Sequence, residues 1–272
     1  MDIALAGSVK ETADALIESI KSLATPQRLA QIAEPRLAAS GEFVQAMAQS
    51  RLTAAKARWD QVPLTWERLS FEINAALDKD AYIVPEFGSQ GPKSLPWFSF
   101  GEGEKRRIGR ATGYALGWGV GASIGVKLAR PNNQVVSLQG DGGFLFGQIE
   151  ALWSASRYDV PVIIVIFNNR CYNETRVRMF AQGGRQAQEQ KDMLSYLGDP
   201  NVEYVQVASA FGIQGEQVST PDQIGPAMRR AVRTTRDGRP YLIDALIERS
   251  GSGAELSWYP DYSLAESRQR RV

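Results

Sequence analysis

The sequence predicts an α/β fold: a doubly wound, mainly parallel sheet with helices on both faces. Three observations predict it. From Thr65 onward, short apolar runs alternate with stretches whose apolar residues recur at helical spacing, which is the grammar of strand–helix units. Several runs, such as 162–167, are continuous and β-branched, as in strands covered on both faces. A glycine-rich turn at 140–143 follows one such run, where sheets of this kind bind their ligands. Taken in order, strands are expected at 3–6, 82–84, 134–138, 162–167, 216–218 and 241–247. Helices are expected at 12–23, 65–77, 117–129, 146–156, 202–211 and 222–234. Residues 12–23 carry Ala13, Leu16, Ile17 and Ile20 on one face, and 65–77 carry Leu69, Ile73 and Ala76. Residues 1–24 thus offer one strand and one helix, too little for a domain, and suit a remnant or a docking unit. Residues 25–60, rich in Ala, Gln and Arg and punctuated by Pro35 and Gly41, suit a helical linker. The main domain is expected at 61–250, with a polar tail at 251–272 in which Trp258 and Tyr259 look exposed.

Composition narrows the function. Hydrophobic residues at 43% and charged residues at 22% suit a globular chain and exclude a disordered one. A formal net charge of +1 gives no reason to expect nucleic acid or a membrane as partner, and Lys105-Arg106-Arg107 reads as a solvated loop. One cysteine, Cys171, excludes an intrachain disulfide and a multi-cysteine metal site, and with no spanning run it fits a cytoplasmic setting. The chain has no histidine, so His-based triads and His-ligated metals are excluded. Any catalysis then needs reactive atoms from a cofactor, an oxygen-ligated metal or a partner subunit.

The stretch GDGGFLFGQIEALWSASRYDVPVIIVIFNN, residues 140–169, supplies such a place. Gly140, Gly142 and Gly143 allow main-chain N–H groups to approach an anion such as phosphate. Asp141 beside a phosphate would repel it unless a cation lay between them, so Asp141 suits magnesium (Mg2+), a hard ion that bridges carboxylate and phosphate oxygens. Asn168 and Asn169 end the next strand at the same sheet edge, and either carboxamide can reach that ion. One helix plus one strand carries the chain out and back between the two motifs. A Gly-Asp-Gly turn alone is common; the pair at two adjacent strand ends is far more specific.

This stretch resembles the signature of thiamine diphosphate-dependent enzymes, which runs from Gly-Asp-Gly to Asn-Asn. The resemblance implies thiamine diphosphate and magnesium as cofactors, with the metal held by Asp141, Asn169 and the main-chain carbonyl of Cys171. A second match, GYALGWGVGASIGVKLARP at 113–131, resembles the segment that grips the pyrimidine in the acetolactate synthase and benzoylformate decarboxylase group. There Leu116 falls at the position of the apolar wedge beneath the bent cofactor. Tyr114, where glycine is usual, falls where a carbonyl meets the pyrimidine amino group. These two are the residues the resemblance places in catalysis. A third match, VPEFGSQ at 84–90, puts Gly88 and Ser89 near the far end of the diphosphate, and Tyr172, Asn173 and Glu174 begin a segment that lies over cofactor and substrate in relatives. Structural alternatives accompany each: a core leucine, an ordinary β-to-α turn, a surface loop.

The resemblance covers the diphosphate-binding domain only. In the family an activating glutamate comes from a separate pyrimidine-binding domain, and no glutamate here matches it. The reading is therefore a thiamine diphosphate- and magnesium-binding subunit of a carbon–carbon lyase, decarboxylase or carboligase acting on 2-oxo acids or 2-hydroxyacyl compounds. A partner chain would complete it in an oligomer, or the sequence is a piece of a longer chain. Tyr114, Trp118 and Trp97 are candidate aromatics for that interface, or core. Two alternatives stay open: a non-catalytic binding or regulatory subunit of the same fold, and a 2-oxoacid oxidoreductase subunit, against which the single cysteine speaks. A nicotinamide-binding fold fits poorly, because Asp141 would face an unscreened pyrophosphate.

Overall fold

The computed structural model describes residues 4–87, 91–100, 105–109, 115–147, 149–192 and 194–257. The chain divides into two compact units, Met1–Ala57 and Arg58–Val272. The first holds α1 (Val9–Leu23) and α2 (Pro26–Lys56). Each starts at a hydroxyl cap, Ser8 accepting from the Glu11 N–H and Thr25 from the Arg28 N–H, with Pro26 pre-set in the first turn of α2. No strand forms over residues 4–6, so that part of the expected 3–6 strand is corrected: the described residues of this unit form helices and no strand, and an isolated strand has no partner for its main-chain groups. Pro35 lies inside α2, which is unbroken through Gly41 as well.

The second unit begins with α3 (Trp66–Ala76), capped by Thr65. Its remaining elements are β1 (Tyr82–Glu86), the short α4 (Gly91–Ser94), a 3-10 turn (Leu95–Trp97), β2 (Arg106–Arg107), α5 (Gly119–Ala129), β3 (Val135–Gly140) and α6 (Asp141–Phe146). Then follow α7 (Ala151–Arg157), β4 (Ile163–Asn168), α8 (Asn173–Ala181), α9 (Arg185–Glu189), α10 (Tyr204–Ala210), β5 (Gln214–Val218), α11 (Pro221–Arg236) and β6 (Tyr241–Leu246). Among the described residues six strands form one sheet in the order β2-β1-β3-β4-β6-β5, each paired in parallel with its neighbours.

The β-branched runs are the central strands, and alternate residues feed opposite layers. Ile163, Val165 and Phe167 face α3 and α11 through Trp66, Ile73, Ile224 and Met228. Ile164 and Ile166 face the other layer, with Val120, Leu152 and Ala208. The sheet is therefore covered on both faces, as the sequence predicts.

Two local expectations change. The helix expected at 146–156 forms only from Ala151 as α7, whereas the glycine turn expected at 140–143 is itself helical from Asp141 as α6, which stops at Phe146 because Gly147 adopts extended backbone. The basic run is not a solvated loop: Lys105 is buried, while Arg106 and Arg107 form the edge strand β2, where exposed charge discourages further pairing.

Candidate functional site

Parallel register brings the carboxyl ends of three strands together. Glu86 lies opposite Gln139, and Gly140 lies opposite Phe167. Asp141 is thus the first residue past β3 and Asn169 the first past β4, on the same sheet edge. A cleft of ≈ 800 Å³ opens there, lined by Gly140, Asp141, Gly142, Gly143, Asn169, Cys171, Tyr172 and Leu116, among others. Trp66, Phe87 and Phe167 also line it, as a packed aromatic group with centroids 4.8–5.3 Å apart. The wall is therefore polar at the strand ends and apolar behind them.

The polar end is short of positive charge. Asp141 is 2% exposed, and burial pushes its carboxyl up to about 7, opposed by main-chain N–H groups of Gly142, Cys171 and Arg170. Its oxygens accept from Gly142 N–H at 2.9 Å and Cys171 N–H at 3.1 Å. The Asn169 Oδ1 is buried without a hydrogen-bond partner, which is costly for an acceptor. A carboxylate and an orphaned carboxamide oxygen in one cleft form a donor set suited to a hard cation. Among the described residues no three His, Cys, Asp or Glu side chains cluster as a metal site, so carboxamide and main-chain oxygens would have to complete the set.

The two asparagines of the motif separate here. Asn168 Nδ2 donates to Asp244 at 2.9 Å, and its Oδ1 accepts from Arg170 N–H, so its carboxamide is committed to β6 and the turn. Arg170 takes the left-handed conformation, φ 55°, which swings the chain from Asn169 back toward Asp141. Burial pushes the Cys171 thiol up to about 11, so it stays protonated. Its carbonyl accepts from Asn173 N–H at 2.8 Å, leaving one oxygen lone pair.

Leu116 stands in the cleft, 38% exposed, next to the exposed Ala115 and with the buried Trp66, Phe87 and Phe167 in the same lining. The Tyr172 ring packs against Gly142: a Cβ at Gly142 would come within 2.4 Å of it. That glycine is required by the tyrosine as well as by any anion. Trp118 lines the cleft, whereas Trp97 packs with Trp59 and Phe71 away from it. Gly88, Ser89 and Tyr114, together with Trp258 and Tyr259, lie outside the described residues.

Residues 101–245 match the family model described as the thiamine pyrophosphate enzyme C-terminal TPP binding domain. The chain belongs to the thiamine pyrophosphate enzyme family. Among relatives of this thiamine pyrophosphate enzyme domain, the acetolactate synthase large subunit IlvG of Mycobacterium tuberculosis is 33% identical over 199 residues, covering 70% of this chain and 33% of that protein. The benzoylformate decarboxylase of Pseudomonas aeruginosa is 28% identical over 244 residues, 90% of this chain and 40% of its own length. A solved thiamine diphosphate-dependent 4-hydroxybenzoylformate decarboxylase of Rhodococcus jostii superposes with a TM-score of 0.60 at 28% identity, covering 70% of this chain and 34% of that one. The chain thus spans between a third and two fifths of these relatives.

Sequence reasoning named Asn173 only as part of a covering segment and missed Glu86 of the thiamine pyrophosphate enzyme cleft altogether. Asn173 is 5% exposed; its Oδ1 accepts from Arg176 Nη2 at 2.7 Å and Ser250 N–H at 3.3 Å, so its Nδ2, which has no partner, is fixed as a donor in the cleft wall. Glu86 ends β1, 3% exposed, inside the quoted segment VPEFGSQ. A lone polar residue carries no spacing signal; only its position at a strand end hinted at it.

Proposed function

We propose that the chain binds thiamine diphosphate through a magnesium ion held by Asp141, Asn169 and the Cys171 carbonyl, in an enzyme that breaks or makes a carbon–carbon bond beside a carbonyl. The observation that carries this is the buried, cation-deficient pair of Asp141 and the orphaned Asn169 Oδ1 at one sheet edge. The cofactor, when bound, would supply a carbon nucleophile toward the carbonyl of a 2-oxo acid or a 2-hydroxyacyl compound. The work of this chain is to hold it. Asp141 offers the charge that a divalent ion needs, and the ion in turn relieves the desolvation of Asp141. Asn173 Nδ2 offers a fixed donor to an anionic oxygen, and Gly142 and Gly143 keep bulk away from it. Leu116 gives an apolar shelf for the heterocyclic part, and Tyr114 would offer its carbonyl beside the pyrimidine. Gly88, Ser89, Gly140 and Tyr172 complete the proposed enclosure.

Leu116, half-open to solvent, supports a partner: a pyrimidine-binding domain on a second chain would cover the shelf and bring the activating glutamate, making the active form an oligomer. Residues 1–24 would be a remnant or a docking unit, 25–60 a helical linker, 61–250 the cofactor domain and 251–272 a tail. Among the described residues no helix is long and apolar enough to cross a membrane, and the single cysteine suits a cytoplasmic setting. The test is calorimetric titration of the chain with thiamine diphosphate in the presence and absence of magnesium. Magnesium-dependent binding, lost in Asn169→Ala, is the expected result; equal binding without magnesium would refute the ligand set. Decarboxylation of 2-oxo acids upon adding a pyrimidine-binding domain then tests the reaction class.

A further inference from the structure

The loop that carries Leu116 leads straight into α5, and that helix starts without a cap of its own. Trp118 occupies the cap position and makes no side-chain hydrogen bond there. N–H groups at such an end have no acceptor within the helix. Another element supplies one. The Glu86 carboxylate, at the end of β1, accepts from Gly117 N–H and, at 2.6 Å, from Gly119 N–H. These donors follow Leu116 directly and bracket Trp118.

The fit is tight on every side. Gly117 has φ +88°, and a Cβ there would stand 3.0 Å from Gly147 N, so the loop rests on the break between α6 and α7. A Cβ on Gly119 would stand 2.3 Å from Gln139 Nε2 and 2.7 Å from Glu86 Oε2. A carboxylate at a helix N-terminus makes strong charge-assisted bonds and complements the helix dipole. Meanwhile β1 and α5 are anchored in the core by Ile83, Val84 and Val120, independently of Glu86. What depends on the carboxylate is the height of the loop between them.

We propose that Glu86 is a positioning residue: by holding the Gly117 and Gly119 amides it sets where Leu116 stands in the cleft, and so the grip on the heterocyclic part of thiamine diphosphate. It acts through Leu116 and leaves the diphosphate end to Asp141 and Asn169. The inference rests on the proposed function, and its test separates the two. The full chain and its Glu86→Gln variant are titrated with magnesium plus either thiamine diphosphate or inorganic diphosphate, followed by tryptophan fluorescence, since Trp118 stands in the cleft wall.

Wild type should bind thiamine diphosphate more tightly than inorganic diphosphate. Glu86→Gln keeps the shape but turns an amide nitrogen toward a main-chain N–H. It should lose about tenfold in thiamine diphosphate affinity, the scale of one charge-assisted hydrogen bond, with inorganic diphosphate affinity unchanged. Leu116→Ala should give the same pattern, and the double variant should lose little more than either single one, because both act through one contact. Full retention of thiamine diphosphate affinity in Glu86→Gln overturns the inference, as does equal loss of both ligands, which would mark a merely structural role. Wild type that binds neither ligand overturns the proposed function itself.

Discussion

Asp141→Asn isolates the electrostatic cost of the candidate metal site. In the metal-free protein the carboxyl is pushed from 3.8 to about 7, first by burial. The folded state therefore holds its proton where the unfolded state has released it. Stability from this group is full below about pH 4 and is lost as pH rises through about 7, because the buried charge must then be carried without a counter-ion. Carrying the charge in this site therefore costs about 4 kcal/mol above pH 7. Asparagine carries no charge and keeps one acceptor, at a cost of about 1 kcal/mol for the N–H left facing its amide nitrogen. Metal-free Asp141→Asn should thus exceed wild type by about 3 kcal/mol near pH 8 and gain nothing near pH 4. The assay is thermal unfolding across that range, with and without magnesium and thiamine diphosphate. The chain has no histidine, so the window is nearly clear; Asp244, also raised by burial, is present in both proteins, and its repulsion is the smallest of the effects on the Asp141 carboxyl. Magnesium and cofactor should raise the wild-type midpoint at pH 8 and leave the variant unmoved. Equal stability of the two metal-free proteins at pH 8, or equal stabilisation by magnesium and cofactor, refutes the reasoning.

Three further outcomes follow from the cleft. Gly142→Ala places a Cβ 2.4 Å from the Tyr172 ring and should destabilise by about 1–3 kcal/mol; adding Tyr172→Ala should recover most of that in denaturant melts. Asn173→Asp keeps acceptors for Arg176 and Ser250 N–H, so the melting temperature should hold, but it exchanges the orphaned donor for a negative charge; inorganic diphosphate titrations should show affinity down by about tenfold or more. Cys171→Ala removes only the thiol, so magnesium-dependent cofactor affinity should stay within about twofold in calorimetry, and a large loss would implicate the side chain.

The legible part of the site was the part written in spacing. A strand–helix–strand unit returns the chain to the same sheet edge, so the spacing from Asp141 to Asn169 is readable in the sequence as proximity. The helix break at Gly147 was not legible, since one glycine inside an amphipathic run is compatible with an unbroken helix, and its extended backbone is met by Gly117, 30 residues earlier. Lys105-Arg106-Arg107 misled for a related reason: charge argued for solvent, whereas the vacant edge of β1 recruited two of these residues as a strand.

The order of apolar runs and the two motifs at strand ends determined, from sequence alone, an α/β sheet with two polar turns on one edge. Tertiary structure decided which groups are free to act there. Asn168 is withdrawn because Asp244, on a strand 76 residues further on, claims its amide; Asn173 is turned into a donor by Ser250, 77 residues away; and Glu86 meets Gly117 and Gly119 across 31 and 33 residues. Periodicity records which face of an element is buried, but a polar side chain's orientation is set by whichever partner the strand order brings beside it, and that partner leaves no mark on the local sequence.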